Sequence, residues 1–219
     1  MPRFSTLLRH FHVNNANPPT LPLRCHASFH QPVVFVHVAI MPFMASKMSQ
    51  IDAYRSSPSG GAEAAIFYSI NSTQAGLAGV SLGNRLIKAV KSELKGEMKG
   101  LETFSTLSPI PRLRRWALDA ALRLKPGDVF PTLESSAAFG GDVRKLMEAL
   151  EAGEWQTDSA LFSSVTPPLE RLAAIHLATE KGSRGSPICG VAKFHMSNGA
   201  TMRRVNVGAD MKRKGIARR

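Results

Sequence analysis

Apolar residues fall in blocks along this chain, and their spacing changes from block to block. Pro32 to Ile40, PVVFVHVAI, is β-branched and apolar at nearly every position, which predicts a strand buried on both faces. Ala64 to Ile70, AAIFYSI, predicts a second buried strand, and the polar RSSPSGG before it, Arg55 to Gly61, predicts a surface loop. The period then lengthens. Leu86, Ile87, Val90 and Leu94 recur at helical spacing across Asn84 to Gly96, with Gly96 placed to stop the helix. Leu101 to Leu107 returns to strand character. Strand, loop, helix and strand in that order predict a right-handed crossover between parallel strands.

Further along, Leu113, Trp116, Ala120 and Leu124 share one helical face. Asp142 is placed to cap a short helix through Ala152, ended by Gly153. Thr166-Pro167-Pro168 reads as the opening of another helix, running to Lys181 and stopped by Gly182. Two closing strands are predicted, ICGVAKFH (Ile188 to His195) and ATMRRVNVG (Ala200 to Gly208). Met196-Ser197-Asn198-Gly199 would join them as a hairpin, Asn-Gly being the strongest short signal for one. The pattern describes one mixed α/β domain with no internal repeat.

Between the third strand and the helix after it, the apolar run stops at Ser108 and two prolines follow, Pro109 and Pro111. Proline cannot continue a ladder and biases its predecessor toward extended backbone. That predicts Ser108 at a strand's carboxyl end, where open α/β sheets place their ligand crevices. The competing reading makes Ser108 the cap of the helix that starts near Arg112.

Composition narrows the partners. The chain has 219 residues, 43% of them apolar, enough for a real core in a globular protein. Its formal net charge of +12 favours polyanions. With two Trp and two Tyr, and no basic stretch interleaved with aromatics, a nucleic-acid stacking platform is not indicated; a cofactor carrying several phosphates suits the charge. The longest apolar run, VVFVHVAIMPFMA, is too short to span a bilayer, so no membrane segment is expected. Cys25 and Cys189 cannot make a disulfide framework, and Cys25, His26 and His30 have no second ligand pair at zinc spacing. No acidic residue precedes Asp52. Residues 1–23, with Arg3 and Arg9 among Leu and Phe, read as a basic leader, either an organelle transit peptide or a disordered segment.

Three places can carry chemistry. The loop Ser72 to Asn84 has glycines at 76, 79 and 83 and runs from a buried strand into a helix, so its amides and the helix dipole suit a pyrophosphate. It matches neither the dinucleotide fingerprint nor a P-loop. Ser108 is the second. His195, expected at the last strand position before the hairpin, is the third, since imidazole exchanges protons near neutrality. His37, in a buried strand, and His176, on a helix, read as structural.

Taken in order, AIFYSINSTQAGLAGVSLG, TFSTLSPIPRLRRWAL, TPPLERLAA and VAKFHMSNGATMRRVNVGAD resemble the malonyl-CoA decarboxylases. The resemblance runs from Arg24 to about Gly215. It implies that residues 24–219 form a catalytic domain of the GCN5-related acetyltransferase type, with a mixed sheet that parts to admit coenzyme A. It implies that Ala78, Gly79, Val80, Ser81, Leu82, Gly83 and Asn84 bind the CoA pyrophosphate. Ser108 and His195 fall on the family's catalytic serine and histidine, and Ser69 on a position near the same pocket.

The implied activity is decarboxylation of malonyl-CoA to acetyl-CoA and CO₂ in fatty acid metabolism, with malonyl-CoA as substrate and no cofactor. The implied compartment is mitochondrial, or else peroxisomal or cytoplasmic. Three departures from the family are visible. The helical domain used in oligomer assembly is not seen ahead of the catalytic domain. The fold is expected to be incomplete at the C-terminus, where the family has a last stretch bearing a tyrosine. Ser81 stands where animal members carry an acidic residue. The alternatives are an acyltransferase of the same fold, which would consume acetyl-CoA, an inactive CoA binder, and a basic nucleic-acid-binding protein with salt-dependent affinity.

Overall fold

The computed structural model describes residues 20–26, 32–56, 61–72, 82–182 and 185–211. The chain divides into two compact units, one ending at Ser108 and the other beginning at Pro109.

The first unit is a four-stranded mixed sheet with helices on its faces. Its strands lie in sequence order: β1 (Thr20–His26), β2 (Pro32–Met41), β3 (Ala64–Ser72) and β4 (Thr103–Thr106). β1 runs antiparallel to β2 and β2 to β3, whereas β4 is parallel to β3. The crossover between those parallel strands is helix α2 (Leu82–Glu97). Its buried stripe, Leu86, Val90 and Leu94, packs with Val34, Val36, Val38 and Ile40 of β2 and with Ala65 and Phe67 of β3. Three buried aliphatic side chains at ~1.5–3 kcal/mol each are enough to hold this helix on the sheet. The opposite face carries Ala39, Met41, Ala64 and Ile66, covered by Ile51 of helix α1 (Met48–Ser56). The strand reading of Pro32–Ile40 and Ala64–Ile70 and the parallel pairing hold.

Some details differ. Gly96 does not stop α2; it lies within the helix, and the amide of Met98 still donates to the carbonyl of Leu94. Arg55 opens no loop, because α1 continues through Ser56. β1 was not anticipated and crosses position 23. Pro22 is tolerated in it because β1 is an edge strand, where a missing ladder donor costs little.

The second unit is helical. α3 (Leu113–Ala120) begins at Arg112, whose φ of 65° puts a non-glycine residue in the left-handed region. Short helices α4 (Pro126–Val129) and α5 (Leu133–Phe139) follow, the latter capped by Thr132, whose side chain accepts from the Ser135 amide. α6 (Val143–Ala152) is bounded as its sequence predicts. Asp142 accepts from the Arg144 amide at 2.8 Å, and Gly153 closes the helix at φ 80°.

α7 (Ser159–Ala174) overturns the reading that Thr166-Pro167-Pro168 starts a helix, for both prolines lie inside it. Asp158 is the cap, accepting from the amides of Ala160 and Leu161. The prolines withhold two helical donors. Around them, hydroxyls of Ser163, Ser164 and Thr166 donate to the carbonyls of Ser159, Ala160 and Phe162. α7 runs on as a π-helical turn, Ile175–Thr179. One core unites the unit, with Trp116, Phe139, Leu146, Trp155, Val165 and Leu172 all buried.

The two closing strands are not there. Ile188–His195 runs into helix α8 (Gly190–Ser197), and 200–206 has no regular element. Asn198-Gly199 ends the helix instead of turning a hairpin. The amide of Ala200 donates to the carbonyl of His195 and that of Gly199 to Met196, the paired bonds of a Schellman stop. Gly199, at φ 82°, supplies the left-handed residue that such a stop requires. A left-handed glycine serves a hairpin and a helix end alike, which is why the dipeptide misled.

Candidate functional site

The parallel ladder between β3 and β4 is short. It pairs Ala64 with Thr103 through Phe67 with Thr106, and the amide of Leu107 adds a last bond to the carbonyl of Phe67. β3 continues to Ser72 on its other side, paired with β2 up to Val34. The two parallel chains therefore part just beyond Phe67 and Thr106. Beyond the last bond lie Ser69, still on β3, and Ser108, two residues past the end of β4. Pro109 and Pro111 follow Ser108 directly and cannot extend the ladder.

Ser108 is exposed and lies at the carboxyl end of β4, as its sequence context predicts. It is not the cap of the next helix. That position belongs to Arg112, which makes no side-chain capping bond.

Ser69 owes its direction to a bulge. The β2–β3 register pairs Val36 with Ile70 and His37 with Ser69, then shifts so that Val38 pairs with Phe67, with Tyr68 as the extra residue of the bulge. Strict alternation would turn Ser69 toward the α2 face. The extra residue puts Tyr68 and Ser69 on one face, together with His37, which is how bulges re-aim side chains near functional sites. The His37 ring lies 5.3 Å from Phe35 and 5.7 Å from Tyr68. The Asn71 amide group donates to Ser69 Oγ at 2.6 Å.

Of the predicted pyrophosphate loop, Ala78, Gly79, Val80 and Ser81 lie outside the described residues. Leu82, Gly83 and Asn84 form the first turn of α2 and are half-buried. No acidic residue stands in that turn to repel an anion, and the exposed Arg85 and Lys88 come next.

His195 belongs to the second unit and is a helical residue, in the last turn of α8. The strand position expected for it is corrected accordingly. It is half-buried, with its ring edge-on to Phe194 at 5.0 Å, and burial pushes its imidazole below the ordinary histidine value.

His176, read as structural, is 3% exposed and sits on the π turn with its ring 4.8 Å from Trp116. Neither ring nitrogen has a hydrogen-bond partner among the described residues, and burial lowers its pKa. Glu180 beyond it accepts from Arg123 at 2.7 Å, which holds the carboxyl below its usual range. Among the described residues, no three His, Cys, Asp or Glu side chains gather where they could hold a metal ion, and no helix is long and apolar enough to cross a membrane.

The family profile described as malonyl-CoA decarboxylase C-terminal domain matches residues 20–219. The mitochondrial malonyl-CoA decarboxylase of Mus musculus is 37% identical over 213 residues, covering 88% of this chain and 42% of the relative. That of Anser anser anser is 33% identical over 211 residues, covering 89% and 42%. The crystal structure of malonyl-CoA decarboxylase from Rhodopseudomonas palustris superposes with a TM-score of 0.73 at 33% identity, over 93% of this chain and 45% of that one. The Cupriavidus metallidurans structure gives 0.66 at 35%, over 90% and 49%. The chain thus spans less than half the length of these relatives.

Proposed function

The chain belongs to the malonyl-CoA decarboxylase family, and from that membership we propose that it decarboxylates malonyl-CoA to acetyl-CoA and CO₂. The observation that carries this reading is the parting of β3 from β4 beyond Phe67 and Thr106, with Ser69 and Ser108 just past the last bond. We read the sheet as acetyltransferase-like, admitting coenzyme A where the strands part. Residues 78–84 would hold the pyrophosphate on backbone amides at the start of α2.

The chemistry calls for three things. The bond from C2 to the carboxylate must stand roughly perpendicular to the thioester plane, so that its electrons flow into the carbonyl. The negative charge that develops on the thioester oxygen needs preorganised donors. C2 must then receive a proton. In this reading Ser108 donates to the carboxylate or thioester oxygen and helps relay the proton, and His195 is the proton donor. The thioester carbonyl is itself the electron sink, so the step calls on no further group. We infer a mitochondrial address from the mitochondrial malonyl-CoA decarboxylases that the chain resembles.

The test is turnover. The purified chain is incubated with malonyl-CoA while acetyl-CoA and CO₂ are followed, and His195→Ala is expected to remove turnover while sparing most of the CoA affinity. CoA binding without turnover by the unsubstituted chain would reduce the protein to a binder. Consumption of acetyl-CoA in the presence of an amine would favour an acyltransferase.

A further inference from the structure

Helix α8 carries His195, yet none of its eight residues is fully buried. A helix that short is marginal without packing, so its place depends on what holds its ends. The far end is closed by the bonds around Gly199. The near end is tied to Glu180. There the π turn finishes, with the Glu180 amide donating to the carbonyl of Ile175 at 3.1 Å. The chain then comes back to the same residue. Lys181 bridges Pro187, the amide of Gly182 donates to the carbonyl of Ser186 at 2.8 Å, and that of Ile188 to the carbonyl of Glu180 at 3.3 Å. Cys189, which is buried, follows, and α8 starts at Gly190. Glu180 is thus the base from which α8 departs.

The side chain of Glu180 points to another element. It accepts from Arg123 at 2.7 Å. Arg123 stands just past α3, its amide bonded to the carbonyl of Ala120, and its guanidinium lies 5.8 Å from the centre of the Trp116 ring. Trp116 belongs to the core of the unit. A planar guanidinium that faces an indole and bonds a carboxylate has little freedom left. One continuous path therefore runs from the core through Arg123 and Glu180 to the start of α8.

We propose that Arg123 and Glu180 are positioning residues for His195: their ion pair pins the base of α8 to the core and so sets where the imidazole stands. What His195 then does rests on the decarboxylase reading, to which this adds two residues. Arg123 is exposed and Glu180 half-buried, and a pair that open to water adds little to overall stability, so variants of either should fold. Its value is in direction, because a reacting group misplaced by ~1 Å can lose ~100-fold in rate.

The experiment measures kcat, KM and the titration of the His195 ring by NMR in the 219-residue chain. Arg123→Ala and Glu180→Ala are each expected to lower kcat by ~10- to 100-fold. KM should change little, since the residues assigned to CoA lie in the first unit. Arg123→Lys, which keeps a cation for Glu180, should recover most of the loss. The double alanine variant should cost no more than either single one, because both changes break one tie. A ring freed from its half-buried place meets more water, so its pKa should rise toward the ordinary histidine value in both single variants. Charge acting through space would instead raise it when the cation is lost and lower it when the anion is lost.

Wild-type kcat in Arg123→Ala overturns the proposal, and so do His195 titrations that move in opposite directions or not at all. If the unsubstituted chain does not turn over malonyl-CoA, the decarboxylase reading fails by itself. The titrations then decide the positioning alone, and a rise in both single variants supports it.

Discussion

The two units are built from different kinds of contact. In the first, helices cover both faces of a sheet, and the buried side chains fall into two clusters on opposite sides of it. In the second, helices close around one continuous cluster that includes both tryptophans of the chain. A sheet with two cores can lose packing on one face and keep its ladder. A single core shared by all its helices has no such reserve. The chemical candidates divide along the same line: Ser69, Ser108 and the start of α2 depend on where strands end, and His195 depends on how a short helix ends.

The strongest way to break this comparison is to cut into each core. Trp155 is fully buried, stacks on Phe162 with ring centres 5.9 Å apart and donates its indole N–H to the carbonyl of Leu150 at 3.1 Å. Trp155→Ala is expected to cost about 3–5 kcal/mol and to loosen the helical unit as a whole. Leu94→Ala, at about 2–5 kcal/mol, should loosen α2 and leave exchange protection around Ala39, Met41 and Ile66 on the other face largely intact. Residue-resolved hydrogen exchange checks both. Uniform loss across both faces in Leu94→Ala would show that the sheet has one cooperative core after all.

A second prediction concerns His195, the helical candidate. Its imidazole is held below the ordinary value of 6.5 by burial, and a proton donor must be charged to act. With the free protein governing kcat/KM, that constant should fall about tenfold per pH unit above a midpoint lower than 6.5. A bound substrate bearing a carboxylate and phosphates favours the charged ring, so the midpoint for kcat should lie higher. Coincident midpoints in the two profiles, or a kcat/KM that rises with pH through this range, would remove His195 as the donor.

How much of this could be read beforehand follows from the same division. The buried strands of the first unit announced themselves because two-sided burial leaves few residue types to choose from. α2 was legible from the stripe of Leu86, Val90 and Leu94. Ser108 was legible because prolines forbid a ladder whatever surrounds them. In the second unit, α6 was legible from Asp142 and Gly153 at its ends. Ile188 to His195 was not, because an eight-residue apolar run suits a strand or a helix, and only its packing decides. The prolines of α7 misled for a related reason: burial of Val165, Pro168 and Leu172 carries the helix through them, and packing is not written in the dipeptide. The bulge at Tyr68 left no sequence signal: it is a register shift, visible only once β2 and β3 are paired.

A smaller effect tests the start of α7. If Asp158 rather than Thr166 opens that helix, Asp158→Ala removes the acceptor for two amides and should cost about 1 kcal/mol in chemical denaturation. Thr166→Val should cost less, because its hydroxyl bonds a carbonyl inside the helix. The reverse order would return the helix start to the proline pair.

The gentlest effect is acid softening of the helical unit. His176 and His195 both have pKa values lowered by burial, and both lie in the second unit. When a histidine binds its proton less readily folded than unfolded, the unfolded chain holds more protons in the window below the ordinary value of 6.5. Stability is therefore undiminished above that value and declines as pH falls beneath it. Glu180 acts in a lower window. Its bond from Arg123 lowers its pKa below 4.5, so the stabilisation it brings is present above that pH and is lost as pH falls through the folded value. Tryptophan fluorescence reports this unit alone, because Trp116 and Trp155 are the only tryptophans in the chain. Its denaturation midpoint should decline in two stages on acidification, and His176→Phe should shrink the upper stage to the share that His195 contributes. A midpoint constant from pH 7 to pH 5 would mean that the ring beside Trp116 opens to water as readily as a histidine in an unfolded chain.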